Sequence, residues 1–480
     1  MNKTANSVTT PAARRAHVFA GPRGFDQATH TLVTWQKLLM AAVLFVVCIG
    51  LYTNHFRTLL VLNIMFSLFY LVSMLYRTVL IDISLRQNRD ITVNPEDLQP
   101  PDGEHWPRYL ILVPLYEEGD ILPDLVDALS KLDYPKDRLE IRLVIEEDDD
   151  ETFYAARKLD LGSPFVIYPI AASQPRTKPK ACNVALENSG ADYLVIYDAE
   201  DRPETDQLKK AVTAFQRVPD NVACIQAKLN FYNSEQNLLT RCFTAEYATW
   251  FDLCLPGLDF LKAPIPLGGT SNHFRLRVLH SLGGWDEYNV TEDCDLGLRL
   301  FYNGWRTRIL NSTTWEQACP HLGYWIRQRS RWVKGYVQTY LVHLRSPVHL
   351  GRGLGIFNSA HFHLIIGGTP FSQLLNPVYW ALTLFWIISQ STAFSDYFPG
   401  PVFVMAAICL FVGNFLFAYT CSIACVRRGF GHLAKYGILM PAYWVLMSIA
   451  AWKGCLQLVW NPHYWEKTRH YGGKEAENNT

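Results

Sequence analysis

At 480 residues the chain exceeds the usual size of one domain, and two or three units are expected. Lys plus Arg and Asp plus Glu both number 44, and the lack of a basic excess argues against a general nucleic-acid binder. Eleven scattered cysteines with no Cys-x-x-Cys pair argue against a disulfide framework or a zinc site, and favour a reducing compartment.

Residues 1–35, with Arg14, Arg15 and Arg23, lack the short n-region and small-residue cleavage site of a signal peptide and read as a cytosolic tail. Within 36–80, the stretches Leu38–Tyr52 and Leu59–Tyr76 are nearly free of charge, as two transmembrane helices would be; a buried core hairpin is the plainer alternative. A polar linker with prolines spans 81–107.

From 108 to 322 the pattern changes. Tyr109–Leu115, Leu139–Ile145, Tyr193–Tyr197 and Val222–Leu229 read as strands, and 165–169 as extended. Helices are expected near 121–132, 152–159, 181–187, 237–251 and 294–303. Alternating strands and helices with polar clusters at the strand ends predict an α/β domain, with a parallel sheet and a ligand site along that edge.

The segment 323–352 is amphipathic and basic; it suits a membrane surface or packing under the preceding domain. Residues 353–462 hold three to four transmembrane or re-entrant helices. Leu375–Ser389, Val402–Val426 and Tyr436–Trp460 are the candidate spans, and Phe357–Phe371, broken by Gly-Gly-Thr-Pro, is a re-entrant candidate. Arg427, Arg428 and Lys435 belong inside, while the loop at 391–400 has no Lys or Arg and suits the outside; Lys453 leaves the last path open. Residues 463–480 form a polar tail.

Several clusters can carry chemistry. Asp198-Ala-Glu-Asp201 follows an apolar strand, so its carboxylates can share one divalent cation, and hard oxygen ligands select Mg²⁺ or Mn²⁺; an acidic surface loop is the alternative. Glu146 to Asp150 can accept hydrogen bonds from a nucleobase or form a solvated acidic loop. Lys178-Pro-Lys-Ala-Cys-Asn183 offers two ammonium groups at a helix start, an anion site or a basic loop. Thr291-Glu-Asp293 opens a helix, where Thr291 could merely cap; the functional reading makes Asp293 a general base for a sugar hydroxyl. Gln328, Arg331 and Trp332 add an anion-holding cation and an aromatic face in a Trp-rich region.

Val113-Pro-Leu-Tyr-Glu-Glu118, Glu146-Glu147, Lys180-Ala-Cys-Asn183, Asp198-Ala-Glu200, Gly269-Thr270, Thr291-Glu-Asp293 and Gln328-x-x-Arg-Trp332 occur in this order over about residues 108–345. Together they resemble the membrane-integrated family 2 glycosyltransferases, the group of cellulose, chitin and hyaluronan synthases. The resemblance implies an A-type, Rossmann-like α/β glycosyltransferase domain inserted between transmembrane helices. It implies an inverting hexosyl transfer from a nucleotide sugar, UDP-hexose favoured, that elongates a β-linked polysaccharide. One-step transfer to a polyprenyl phosphate or glycolipid is the alternative. Asp293 would be the catalytic base. Glu146, Glu147, Lys180, Asp198 and Arg331 would serve the donor, and Gln328, Trp332, Glu292 and Thr270 the acceptor. Asp198, Glu200 and Asp201 would surround Mg²⁺ or Mn²⁺. The implied setting is a multi-pass protein of the inner (plasma) membrane with a cytoplasmic catalytic domain. Its partners would be donor, growing glycan, membrane lipids and exopolysaccharide export subunits, with no nucleic acid. Two departures stand out: Asp-Ala-Glu replaces the family's Asp-x-Asp, and Glu146-Glu147 replaces its Asp-Asp, which leaves the second metal ligand and the nucleotide open. No appended cyclic-dinucleotide-binding domain is expected.

Overall fold

The computed structural model describes residues 27–87, 89–390 and 395–466. Arg14, Arg15 and Arg23 of the expected tail, part of the 391–400 loop and the polar stretch from Lys467 onward lie outside the described residues.

Eight strands form one sheet: β1 (Tyr109–Leu115), β2 (Leu139–Glu146), β3 (Phe165–Ile170), β4 (Tyr193–Ile196), β5 (Arg202–Pro203), β6 (Val222–Phe231), β7 (Asn272–Arg275) and β8 (Arg306–Glu316). Their order is β3-β2-β1-β4-β7-β6-β8-β5. β1 and β4 are near-continuous apolar runs, β2 is apolar apart from Glu140, Arg142 and Glu146, and β6 is buried throughout, as in strands covered on both faces. The expected parallel sheet is in fact mixed. β7 runs antiparallel to β4 and β6, and β5 antiparallel to β8. β7 leaves the 268–271 loop at the edge where β4 ends, so it can only enter the sheet in the opposite direction. The remaining strands point one way, which sets Tyr116, Glu146, Asp198 and Glu316 along a single edge. Strand order reverses between β1 and β4, where a crevice opens beyond the strand ends. This agrees with the A-type arrangement that the sequence resemblance implies.

Among the described residues four helices are long and apolar enough to cross a membrane: Thr34–Arg86, Pro347–Ser389, Gly400–Arg427 and Gly431–Trp460. The first is a hairpin. Asn54 leaves helical geometry (φ −155°, ψ 82°), and a Cβ on Gly50 would lie 2.7 Å from the Thr58 hydroxyl, residues that would stand about 12 Å apart along an unbroken helix.

The second is helical through Phe357–Phe371, the stretch expected to be broken by Gly-Gly-Thr-Pro. Its backbone departs from the helix only at Gly355 (φ 71°), and a π turn at His363–Gly367 carries it through Gly-Gly-Thr-Pro370. The wider turn accommodates the proline, which has no amide to donate, and the glycines admit the rings of Tyr340 and Phe69. The helix Leu322–His343 is wedged between the sheet domain and the apolar helices, with Gln328, Lys334, Gln338, Thr339 and His343 buried. It approaches the last helix so closely that a Cβ on Gly454 would overlap the Ser330 carbonyl.

Candidate active site

The edge is built strand by strand. After β1 the chain turns at Glu117 (φ 49°), whose amide donates to Asp149 (2.6 Å). Asp149 also accepts from the Thr152 amide (3.1 Å) and caps the helix Asp150–Lys158, so one carboxylate binds the ends of β1 and β2 together. Glu146 closes β2 and receives the Lys180 ammonium (3.1 Å). Beyond β4, Asp198 accepts from Lys178, whose ammonium also donates to the Gly269 carbonyl (2.7 Å). Burial opposes the Lys178 charge, but Asp198 and Glu292 outweigh it and hold the ammonium protonated.

The Gly268–Thr270 loop is shaped from below. Gln226, inside β6, accepts from the Gly268 amide (2.8 Å) and donates to the Thr270 carbonyl (3.1 Å). Ser271 sits in the left-handed region (φ 59°), a conformation that surrounding contacts must hold for a residue with a side chain; its hydroxyl donates to Gln207 (3.1 Å).

Asp293 lies in the first turn of the helix Glu292–Tyr302. Thr291 occupies the N-cap position, but its hydroxyl makes no cap; it lies 3.4 Å from the Thr339 hydroxyl. That contact belongs to a seam with the helix Leu322–His343. Asn289 donates to Thr339 (2.9 Å), the Val290 amide donates to Gln338 (3.1 Å), and His343 meets Asp295 (2.9 Å). A Cβ on Gly335 would overlap Thr291, so only glycine allows this approach.

The seam sets Arg331 beside the Glu292–Asp293 pair. Burial lifts the Asp293 carboxyl to about 6, against the Cys294 amide (2.7 Å), Lys178 and Arg331. Burial, and then Asp293 itself, push Glu292 to about 8. Both carboxyls are thus raised by burial, and the pair titrates together. The Arg331 guanidinium stacks on Trp465 at 4.4 Å, and its Nε makes no hydrogen bond among the described residues. Trp332 packs between Tyr247 (6.2 Å between ring centres) and the Arg329 guanidinium (4.6 Å).

These groups line one cavity of about 1400 Å³ that continues from the sheet edge into the apolar helices. There polar side chains recur at helical spacing: Ser67, Tyr70, Ser73 and Arg77 on the hairpin face Thr369, Ser372, Asn376, Tyr379 and Thr383 on Pro347–Ser389. Tyr70 donates to Asn376 (2.7 Å), and Arg77 to Thr369 (2.7 Å). Chemically, an ionised carboxylate flanked by two cations can take a proton from a hydroxyl while the cations hold a departing anion.

The sequence pattern described as Glycosyl transferase family group 2 matches residues 193–452, more than half of the chain, from β4 into the last apolar helix. The chain belongs to this family. This glycosyltransferase is 27% identical over 293 residues to the probable glycosyltransferase YdaM of Bacillus subtilis (strain 168), across 60% of this chain and 69% of that protein. It is 26% identical over 247 residues to glucomannan 4-beta-mannosyltransferase 2 of Arabidopsis thaliana, a match that takes in 48% of this chain and 45% of the plant protein. Among solved structures, the mannosyltransferase PcManGT from Pyrobaculum calidifontis, in complex with GDP-Man and Mn²⁺, is similar with a TM-score of 0.49 at 17% identity, over 85% of this chain and 99% of that one.

Within the glycosyltransferase, Glu146, Asp198, Glu200, Thr270, Glu292, Asp293, Gln328, Arg331 and Trp332 all line the cavity. Three residues expected there lie elsewhere. Glu147 is exposed and points off the end of β2. Lys180 is buried under Glu146 and also donates to the Ala171 and Ser173 carbonyls (3.1 and 3.2 Å), so the cavity ammonium is that of Lys178. Asp201 turns inward, fully buried, and accepts from the Asp198 amide (2.8 Å) and the Thr270 hydroxyl.

Sequence reasoning missed Gln226, Trp465 and Glu316. A glutamine after the apolar opening Val222-Ala-Cys-Ile225 of β6 is the signal that would have found the first. Glu316 ends β8 on the same edge, and burial beside Asp201, Glu200 and Asp198 pushes its carboxyl far above the usual range. Among the described residues no three side chains converge as a complete metal cage. Asp198 and Glu200 nevertheless offer the cavity hard oxygens, which fits a Mg²⁺ or Mn²⁺ completed by the oxygens of a diphosphate.

Proposed function

We propose that this family 2 chain is an inverting, divalent-metal-dependent hexosyltransferase that elongates a β-linked polysaccharide and feeds it between its own helices. The observation that carries the reading is the single cavity joining Asp293 to the facing polar stripes of the apolar helices. In this reading Asp293 takes the proton of the acceptor hydroxyl as that oxygen attacks the donor sugar from the face opposite the leaving group. Lys178 and Arg331 hold the departing diphosphate, Glu146 meets the base, and Trp332 and Gln328 hold the acceptor end. Asp198 and Glu200 would hold a Mg²⁺ or Mn²⁺, whose chemistry there would be to offset charge on the nucleoside diphosphate. The apolar helices cross the inner membrane, and the sheet domain is cytoplasmic.

UDP-hexose is the first donor to test. GDP-mannose is the second, since the plant relative is named a mannosyltransferase. The full chain, purified in detergent, is incubated with radiolabelled UDP-glucose, UDP-N-acetylglucosamine or GDP-mannose plus Mg²⁺ or Mn²⁺, and the product is sized. A ladder or polymer supports elongation. A single sugar added to a polyprenyl phosphate or glycolipid replaces elongation with one-step transfer. No transfer from any donor, or transfer unaffected by EDTA, sinks the metal-dependent reading.

A further inference from the structure

We propose that Arg77 is an anion-binding point in the part of the cavity lined by the apolar helices, placed to hold a phosphate or carboxylate carried by the acceptor. The inference rests on the glycosyltransferase reading and names the chemistry of its acceptor. A guanidinium within an apolar helix bundle is costly, and such residues face cavities and mark ligand paths. Arg77 meets that description: it lines the cavity on the hairpin stripe, one turn beyond Ser73, and is only half-buried.

Its surroundings supply no countercharge. The four apolar helices contain one carboxylate, Asp82, and that group is engaged by Arg86 (2.8 Å). The carboxylates that line the cavity all belong to the sheet domain and its flanking helices. Among the described residues, Arg77 makes one hydrogen bond, from Nη2 to the Thr369 hydroxyl (2.7 Å), and it lies over the Phe417 ring at 5.6 Å. A guanidinium carries five N–H donors in a fork that matches two oxygens of one anion, so most of its donors are left for a ligand. Polar capacity is unmet on both walls nearby: the buried Ser73 Oγ and Gln373 Oε1 have no hydrogen-bond partner among the described residues. Hydroxyls, amides and rings suffice for a neutral sugar chain. A full positive charge without a carboxylate matches an oxyanion.

Two sources carry that chemistry, the phosphate of a lipid acceptor and the carboxylate of an acidic glycan. The full chain in phosphatidylcholine nanodiscs is titrated calorimetrically with hexyl phosphate, hexyl glucuronide and hexyl glucoside. At least one anion should bind about 10-fold more tightly than the glucoside, the order expected of a charge-assisted contact. Preference for the phosphate assigns a lipid phosphate, and preference for the glucuronide an acidic glycan. Arg77→Gln should bring the ratio close to one, and Arg77→Lys should keep part of it.

Equal binding of all three probes by the native protein overturns the proposal. So does a preference that survives Arg77→Gln, which would place the anion on Lys178 or Arg331 instead. If Arg77→Gln does not fold, Arg77→Lys is compared with Thr369→Val, which removes the hydroxyl but leaves the guanidinium. The preference should fall in the first and persist in the second, and the reverse pattern overturns the proposal. Failure of the glycosyltransferase reading shows separately, as absence of sugar transfer by the native protein, an assay that uses none of these probes.

Discussion

Glu292 and Asp293 are neighbours in the chain, and burial raises both carboxyls, Glu292 further because Asp293 lies beside it. Asp293 is a base only when deprotonated, and its carboxyl is raised to about 6, so kcat/KM should rise with pH through about 6 and flatten above it. A profile that is already flat at pH 5 would place the carboxyl in the ordinary range of about 4 and remove the burial argument. Asp293→Asn should lower kcat by about 10²- to 10⁴-fold while calorimetry shows donor affinity retained; joint loss of both would make the residue structural.

The choice between Lys178 and Lys180 was illegible in sequence for a simple reason. Two residues apart on a helix they point about 200° away from each other, and only the packed backbone says which faces the cavity. The same holds for Glu200 and Asp201, of which one lines the cavity and the other is buried beneath the turn.

At the scale of elements, the seam between the Glu292–Tyr302 and Leu322–His343 helices is what turns two distant motifs into one site. Gly335→Ala should therefore press on Thr291 and push the helices apart. Overpacking of this kind costs about 1–3 kcal/mol, so a lowered Tm is expected, with transfer reduced more than donor binding. Unchanged transfer would show that the seam does not position Arg331. The strands β1, β2 and β4 were legible because buried parallel strands are mostly apolar. β8 was not, since Arg306 to Glu316 is mostly polar; Ser312 and Thr314 find partners in Glu204 (2.9 Å) and Gln207 (3.1 Å), which the chain order does not foretell. The Gly-Gly-Thr-Pro stretch looked like a break, yet it is a close-packing surface, because a π turn before Pro370 preserves the helix.

For the whole molecule, buried charges tie the sheet domain to the end of an apolar helix. Lys228 of β6 meets Asp90 (2.7 Å) and Asp252 (2.8 Å), and Arg428, just after the Gly400–Arg427 helix, reaches the same Asp252 (3.0 Å). With the two parts held in register, the cavity crosses from one to the other. Asn376→Trp should obstruct the stripe far from Asp293 and shorten the product while donor hydrolysis continues; full-length product from this variant would mean that the glycan takes another route.

The sequence by itself determined the family, the strand-end placement of the acidic motifs and the apolar helices, because each rests on local spacing and composition. Tertiary structure decided which carboxylate faces the cavity, which lysine accompanies it, and that Asp293, Arg331 and Arg77 share one space. Those outcomes depend on side-chain direction and on close approach between segments far apart in the chain, and neither is encoded locally.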